Sequence, residues 1–136
     1  MIPIQFPSKR VVLCIDDDPA VLYYERTLLE RSGYSVLTAA SARAGLGLVN
    51  TCSIDVVLID YEMPEMNGYE VAVEIKRARP EVAVILLSGS DVPIQALTVV
   101  DAFVPKLEAS RELLPTVAAL CSKARDPQQN QERLHG

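Results

Sequence analysis

Five short apolar runs mark this chain, and stretches of helical spacing fill the gaps between them. Val11-Val12-Leu13-Cys14-Ile15 is the first run, and Tyr34 to Ala39, interrupted by Ser35 and Thr38, is the second strand candidate. Val56 to Ile59 is the third, Val82 to Leu87 the fourth, and Ala102-Phe103-Val104 the fifth. Continuous apolar runs of this length predict strands buried on both faces, as in a parallel sheet. Pro105 marks the fifth as a sheet edge. Between the first two runs, Asp18-Pro19 predicts a helix start, with Asp at the N-cap and Pro at the first helical position. Val21, Leu22, Leu28 and Leu29 give that helix an apolar stripe up to Ser32, and Gly33 stops it. Tyr23 and Tyr24 divide between helix surface and core.

Ser41 caps a second helix through Val49, although Gly45 and Gly47 each weaken it by about 1 kcal/mol. Gly68 to Arg79 predicts a third, with Val71, Ala72 and Ile75 inward and Pro80 closing it. Pro64 and Gly68 read as turn geometry. Pro93 opens a short fourth helix through Val99. Ser110 to Ala124 repeats Leu113, Val117, Leu120 and Cys121 at helical spacing, and Pro115 moves the expected start of that fifth helix toward Leu114. Strand and helix alternate five times. That predicts an α/β fold with a parallel sheet and right-handed crossovers.

Chemistry collects where the strands end. Asp16 and Asp17 follow the first, Asp60 the third, Ser88 the fourth and Lys106 the fifth. Open α/β sheets bind ligands outside the carboxyl ends of their strands. In a doubly wound order 2-1-3-4-5, strands 1 and 3 are neighbours, so Asp16, Asp17 and Asp60 stand side by side. Three ionised carboxylates that close repel one another. A divalent cation relieves the repulsion, and an all-oxygen site suits Mg²⁺. Lys106 adds a positive charge and Ser88 a hydroxyl. Such a set is suited to phosphoryl transfer onto an exposed carboxylate.

Composition narrows the function class. The chain has 136 residues, 49% apolar and 23% charged, which fits one ordinary globular domain. A net charge of −5 argues against nucleic-acid binding through bulk electrostatics. Cys14, Cys52 and Cys121 are odd in number and lack zinc spacing, so reduced thiols are expected. No apolar stretch approaches the roughly 18 residues of a membrane span. Residues 1–9 read as an irregular lead-in, too short and Pro-broken for a signal peptide, and a cytoplasmic location is expected. Residues 125–136 read as a disordered tail or linker stub. His135, the only histidine, lies in that tail, away from any expected metal site or phosphohistidine relay.

The motifs Ile15-Asp16-Asp17-Asp18-Pro19, Val57-Leu58-Ile59-Asp60-Tyr61-Glu62-Met63-Pro64 with Gly68, Leu86-Leu87-Ser88-Gly89 and Phe103-Val104-Pro105-Lys106 stand in order at strand ends. Together they resemble the CheY-like response-regulator receiver domain of two-component signalling, over about residues 10–122. The resemblance implies a flavodoxin-like (βα)5 sandwich with the fourth helix short or irregular, and a receiver domain over 10–124. It implies Asp60 as phosphoacceptor, with Mg²⁺ or Mn²⁺ held by Asp17, Asp60 and the Glu62 backbone carbonyl, and by Asp16 directly or through water. Ser88 resembles the switch hydroxyl, Phe103 the switch aromatic and Lys106 the phosphoryl-pairing lysine. The implied partners are a sensor histidine kinase or phosphotransfer protein, a downstream protein and, as one option, a second copy of the chain. No nucleic-acid or membrane partner is implied, and no enzymatic activity beyond the domain's own phosphorylation and dephosphorylation.

Three departures stand out. Leu107 follows Lys106 where the family usually has Pro, which leaves the last loop open to another arrangement. The segment between Ser88 and Lys106 is short by about one helical turn. Phe103 lacks the hydroxyl a tyrosine would offer. Two other functions compete: a pseudo-receiver serving only as an interaction module, and a haloacid-dehalogenase-type phosphatase, which Asp16-Asp17-Asp18 superficially fits.

Overall fold

A computed structural model of the chain describes residues 9–124. The expected tail over 125–136, and all but Lys9 of the expected lead-in, lie outside the described residues. Five strands and five helices alternate: β1 Val11–Ile15, α1 Pro19–Arg31, β2 Ser35–Ala39, α2 Ala42–Thr51, β3 Val56–Asp60, α3 Gly68–Ala78, β4 Ala83–Ser88, α4 Ile94–Val99, β5 Ala102–Pro105 and α5 Ala109–Ala124. The strands form one parallel sheet in the order β2-β1-β3-β4-β5. This is the flavodoxin-like order expected from the sequence.

Burial follows from that order. Every residue of the interior strands β3 and β4 is buried, because helices cover both faces of the sheet. One apolar layer joins Val12, Cys14, Leu58 and Ile85 to Leu22 and Leu29 of α1 and to Leu113, Val117 and Cys121 of α5. The other joins Leu13, Ile15, Ile59 and Leu86 to Val49 of α2, Val71 and Ile75 of α3, and Ala96 of α4. Successive strand residues alternate between the two layers, as a pleated strand requires.

Local chemistry sets the boundaries. Asp18 caps α1 by accepting from the Ala20 N–H at 2.9 Å, with Pro19 in the first turn. Asn67 and Glu70 form a reciprocal capping box on α3. At the amino ends of the strands, Asp55 accepts from the Val11 N–H at 2.8 Å and Asp101 from the Val84 N–H at 2.8 Å. Lys76 pairs with Asp101 at 2.6 Å and also donates to the Val82 carbonyl at 2.7 Å. These bonds satisfy backbone groups where the ladder runs out.

Three expectations need correction. α5 begins at Ala109, not near Leu114, so Pro115 lies inside the helix. A 3-10 turn at Lys106–Glu108 leads straight into it. Burial of Leu113, Val117 and Cys121 along one face outweighs the hydrogen bond that Pro115 cannot make. Tyr24 is not core: it is 46% exposed, and Tyr23 is exposed too. Gly45 is more than a helix weakness. A Cβ there would stand 2.3 Å from Ile15 Cδ1 in the core, so α2 can rest on β1 only because residue 45 has no side chain. The expected short fourth helix is present, six residues long.

The two glycines of α2 therefore separate helix propensity from packing. Nothing lies within 4 Å of a Cβ built at Gly47. Gly47→Ala should raise stability by about 0.5–1 kcal/mol. Gly45→Ala gains the same propensity but must displace Ile15, and should lower stability by about 1–2 kcal/mol net. Urea unfolding of the two variants decides the matter. A stabilised Gly45→Ala would show that α2 does not rest on Ile15.

Candidate functional site

Register places the acids. Ile15 of β1 pairs with Ile59 of β3, so the next residues, Asp16 and Asp60, are level at the ends of adjacent strands. β1 is the point where strand order reverses, between β2 and β3. Ser88 of β4 pairs with Pro105 of β5, so Lys106 emerges one step beyond the same edge. Asp16, Asp17 and Asp60 each offer an oxygen within 4.8 Å of the others. Asp16 and Asp60 are 2% and 4% exposed, while Asp17 opens to solvent. Lys106 Nζ lies 3.0 Å from Asp60 Oδ1 and 4.0 Å from Asp16 Oδ2. The replacement of Pro by Leu107 therefore does not move the lysine away. Leu107 simply projects outward, 93% exposed.

The electrostatics follow from burial. Asp16 is pushed up to about 6, first by burial and then by the Asp60 charge. The Asp18 N–H, which it accepts at 2.9 Å, and Lys106 pull the other way. Burial pulls the Lys106 ammonium down. The hydrogen bond to Asp60 and the charges of Asp60, Asp16 and Glu62 outweigh it together, and the net direction is up. Acids and lysine thus sustain each other's charge. The donor set is carboxylate oxygen, close-packed and partly open, which fits a hard divalent cation.

The loops after β3 and β4 shape the rest. Asp60 Oδ1 accepts from the Glu62 N–H at 3.3 Å. Gly68 seals the loop. A Cβ there would meet the Asp60 carbonyl oxygen at 2.7 Å and Tyr61 Cα at 2.9 Å, so close approach, rather than the turn expected from sequence, requires glycine. Glu65 takes a left-handed conformation with φ 71°. Ser88 is engaged with Ser90: its hydroxyl donates to the Ser90 carbonyl at 2.8 Å and accepts from the Ser90 N–H at 3.1 Å. The Ser90 hydroxyl in turn donates to Glu62. Phe103 is half-buried against the layer formed with α2, α3 and α4.

Sequence reasoning missed Glu25. It sits on α1 between Leu22 and Leu29, only 4% exposed. The spacing 22, 25, 29 was a sufficient signal, since a helix buries such positions on one face. Burial first, and then the charges of Asp16 and Asp60, push its carboxyl up to about 8.

A doubly wound sheet with an acid cluster at the switch point and a lysine at the last strand end defines a CheY-like fold. The family of response regulator receiver domains matches residues 12–118, and the chain belongs to it. Among curated relatives, the response regulator SaeR of Staphylococcus aureus is 31% identical over 116 residues, covering 82% of this chain and 50% of SaeR. The transcriptional regulatory protein GlrR of Escherichia coli is 39% identical over 78 residues, 57% of this chain and 18% of GlrR. The chain thus spans half or less of these relatives. Among solved structures, a CheY-like receiver domain protein from Methanospirillum hungatei superposes with TM-score 0.81 at 27% identity, covering 86% of this chain and 97% of that one. The response regulator TrrA of Thermotoga maritima, solved in complex with Mg²⁺-BeF, gives TM-score 0.75 at 28% identity, with 82% and 98% covered. No helix among the described residues is long and apolar enough to cross a membrane.

Glu25 makes stability depend on pH. Its folded value lies near 8, above the ordinary 4.5, so between those limits the folded state holds a proton the unfolded state has lost. Stability must then fall as pH rises from about 4.5 to about 8, by a few kcal/mol in all. Asp16 adds a smaller fall that ends near pH 6. In chelator, Glu25→Gln should abolish the fall above pH 6 and leave below it only the smaller Asp16 share. Urea unfolding from pH 5 to 8.5 measures this, and parallel profiles for wild type and variant would contradict it.

Proposed function

We propose that this domain, over residues 10–124, is a phosphoaccepting receiver that takes a phosphoryl group on Asp60 from a phosphohistidine partner. One observation carries the reading: Lys106 reaches Asp60 at 3.0 Å beside a carboxylate cluster gathered within 4.8 Å. Asp16, Asp17, Asp60 and the Glu62 carbonyl would hold Mg²⁺. When bound, the metal supplies charge neutralisation for the transferring group. The Asp60 carboxylate attacks phosphorus, a P–O bond forms, and the P–N bond to the donor imidazole breaks. Lys106 orients Asp60 beforehand and pairs with phosphoryl oxygen afterwards. The exposed edge at Asp17 leaves the approach open to the donor. TrrA, crystallised with Mg²⁺ and a phosphoryl mimic, supports the metal assignment by similarity. Retention of Lys106 in the site removes the main motive for a pseudo-receiver.

Incubation with Mg²⁺ and a small phosphodonor should label Asp60 alone, as located by mass spectrometry. Label that persists in Asp60→Ala, or appears on Ser88, would refute the assignment. Mg²⁺ should raise the melting temperature by a few degrees over chelator. Asp17→Asn should weaken metal binding about tenfold or more. Lys106→Ala should keep the fold and the metal while impairing phosphorylation or response.

The switch follows from the Ser88 geometry. Phosphorylation brings about −1.5 to −2 charge to Asp60. Ser88 then leaves Ser90 for the phosphoryl group, and Phe103 fills the space given up. The six-residue α4 and its irregular flanks bend with little resistance. Hydrogen exchange with and without beryllofluoride should change most over residues 88–106 and least over 20–50. Changes confined to 20–50, or none despite bound mimic, would end this reading.

A further inference from the structure

A cavity of about 280 Å³ opens between α1 and the start of α5, on the face of the sheet opposite α2, α3 and α4. Val21, Leu87 and Leu113 give it apolar walls. Glu25 lines it, 4% exposed, and its carboxyl has no hydrogen bond or ion pair among the described residues. Its oxygens are not sealed in the core but open to the cavity, where a ligand that excludes water has to bring a donor of its own. Lys106 also borders the cavity, but its ammonium is engaged by Asp60 at 3.0 Å. Tyr24 lines the cavity while remaining 46% exposed, which leaves ring surface accessible beside the carboxyl.

An apolar cavity with one convergent polar group is the usual form of a small-molecule site. Its volume lies at the lower edge of such sites, about 300 Å³, and limits the occupant to roughly one ring with a short arm. The head group is set by what the cavity lacks. Glu25 needs a donor, and an ammonium offers three. A tyrosine ring attracts a cation over its face. Asp16 is the strongest charge acting on Glu25, and Asp60 adds to it against the opposing charge of Lys106, which favours a cationic over an anionic head beside the carboxyl.

We propose that this cavity is a binding site for a small primary amine with an apolar body, its ammonium held by Glu25 and the Tyr24 ring. The site adjoins the acid cluster through Lys106 but does not rest on the phosphorylation reading. An empty cavity leaves Glu25 holding its proton near neutrality, at about 8. A bound ammonium would stabilise the ionised carboxylate and supply the missing partner. Lys106 borders both the cavity and Asp60, so an occupant would contact a residue of the acid cluster directly.

Benzylamine is a suitable probe, titrated into the full chain in chelator at neutral pH and followed by amide NMR. Saturable shifts should appear at Val21, Glu25 and Leu113, with half-saturation at or below about 10 mM. Benzyl alcohol, of the same shape without the charge, should bind at least about tenfold more weakly. Glu25→Gln should lose at least about tenfold in benzylamine affinity. Ala109→Met, which fills the cavity from α5, should abolish the shifts. No saturable shift at these residues overturns the proposal. Equal binding of amine and alcohol to the wild type also overturns it, whether or not the Glu25 variant folds.

Discussion

Two carboxylates buried at adjacent strand ends are less costly with positive charge beside them. Asp16 and Asp60 are almost fully covered, and burial and the Asp60 charge both push the Asp16 carboxyl up. The Lys106 ammonium is the cation the fold supplies, and it must come from far along the chain. β5 is two strands away from β3, with β4 between them. Lys106 therefore reaches across the end of β4, where Ser88 and Gly89 present little bulk. A Cβ on Gly89 would already touch the Lys106 stem at 3.9 Å. The order of the sheet, the small residues closing β4 and the length of a lysine are thus parts of one constraint.

That constraint explains why so much of the fold was legible. Strands β1, β3 and β4 are unbroken apolar runs because helices cover both faces, and β1 and β3 run out into the acids of the cluster. Period and punctuation agree, so the strand count and the row Asp16, Asp17, Asp60, Ser88, Lys106 at strand ends follow from one pattern, while the strand order came from the family resemblance. Where reading failed, a local rule met a tertiary one. Pro115 argues locally for a late start to α5, but Leu113 has to be buried on the sheet, and the helix begins before the proline. Gly45 argues locally for a weak helix, but Ile15 occupies the space its side chain would need. Neither contact is visible in a chain read residue by residue.

The site was legible in its acids and its lysine, and less so in its hydroxyl and its glutamate. A strand end fixes where Asp60 must be, since backbone register leaves no choice. A serine rotor is not fixed by register. Ser88 finds a carbonyl two residues on and turns to it, and Ser90 then ties that turn to Glu62. Glu25 was passed over because a charged residue within an apolar helical spacing looks like an interruption of the stripe. In the structure it belongs to the stripe, and its carboxyl stays buried.

Stability and function occupy opposite ends of the same sheet. At the amino end, Asp55 and Asp101 take backbone N–H groups and Lys76 closes an ion pair, so polar groups there are matched. At the carboxyl end, three carboxylates face one ammonium, and Glu25 stands unmatched nearby. Buried ionisable groups in that balance contribute little to folding and can oppose it. The fold can bear this because its two apolar layers run the full length of β3 and β4, far from dependent on any one edge. Charge imbalance at the carboxyl edge is then free to be settled from outside the chain. A ligand that did so would add its binding free energy to a framework whose apolar layers lie away from that edge.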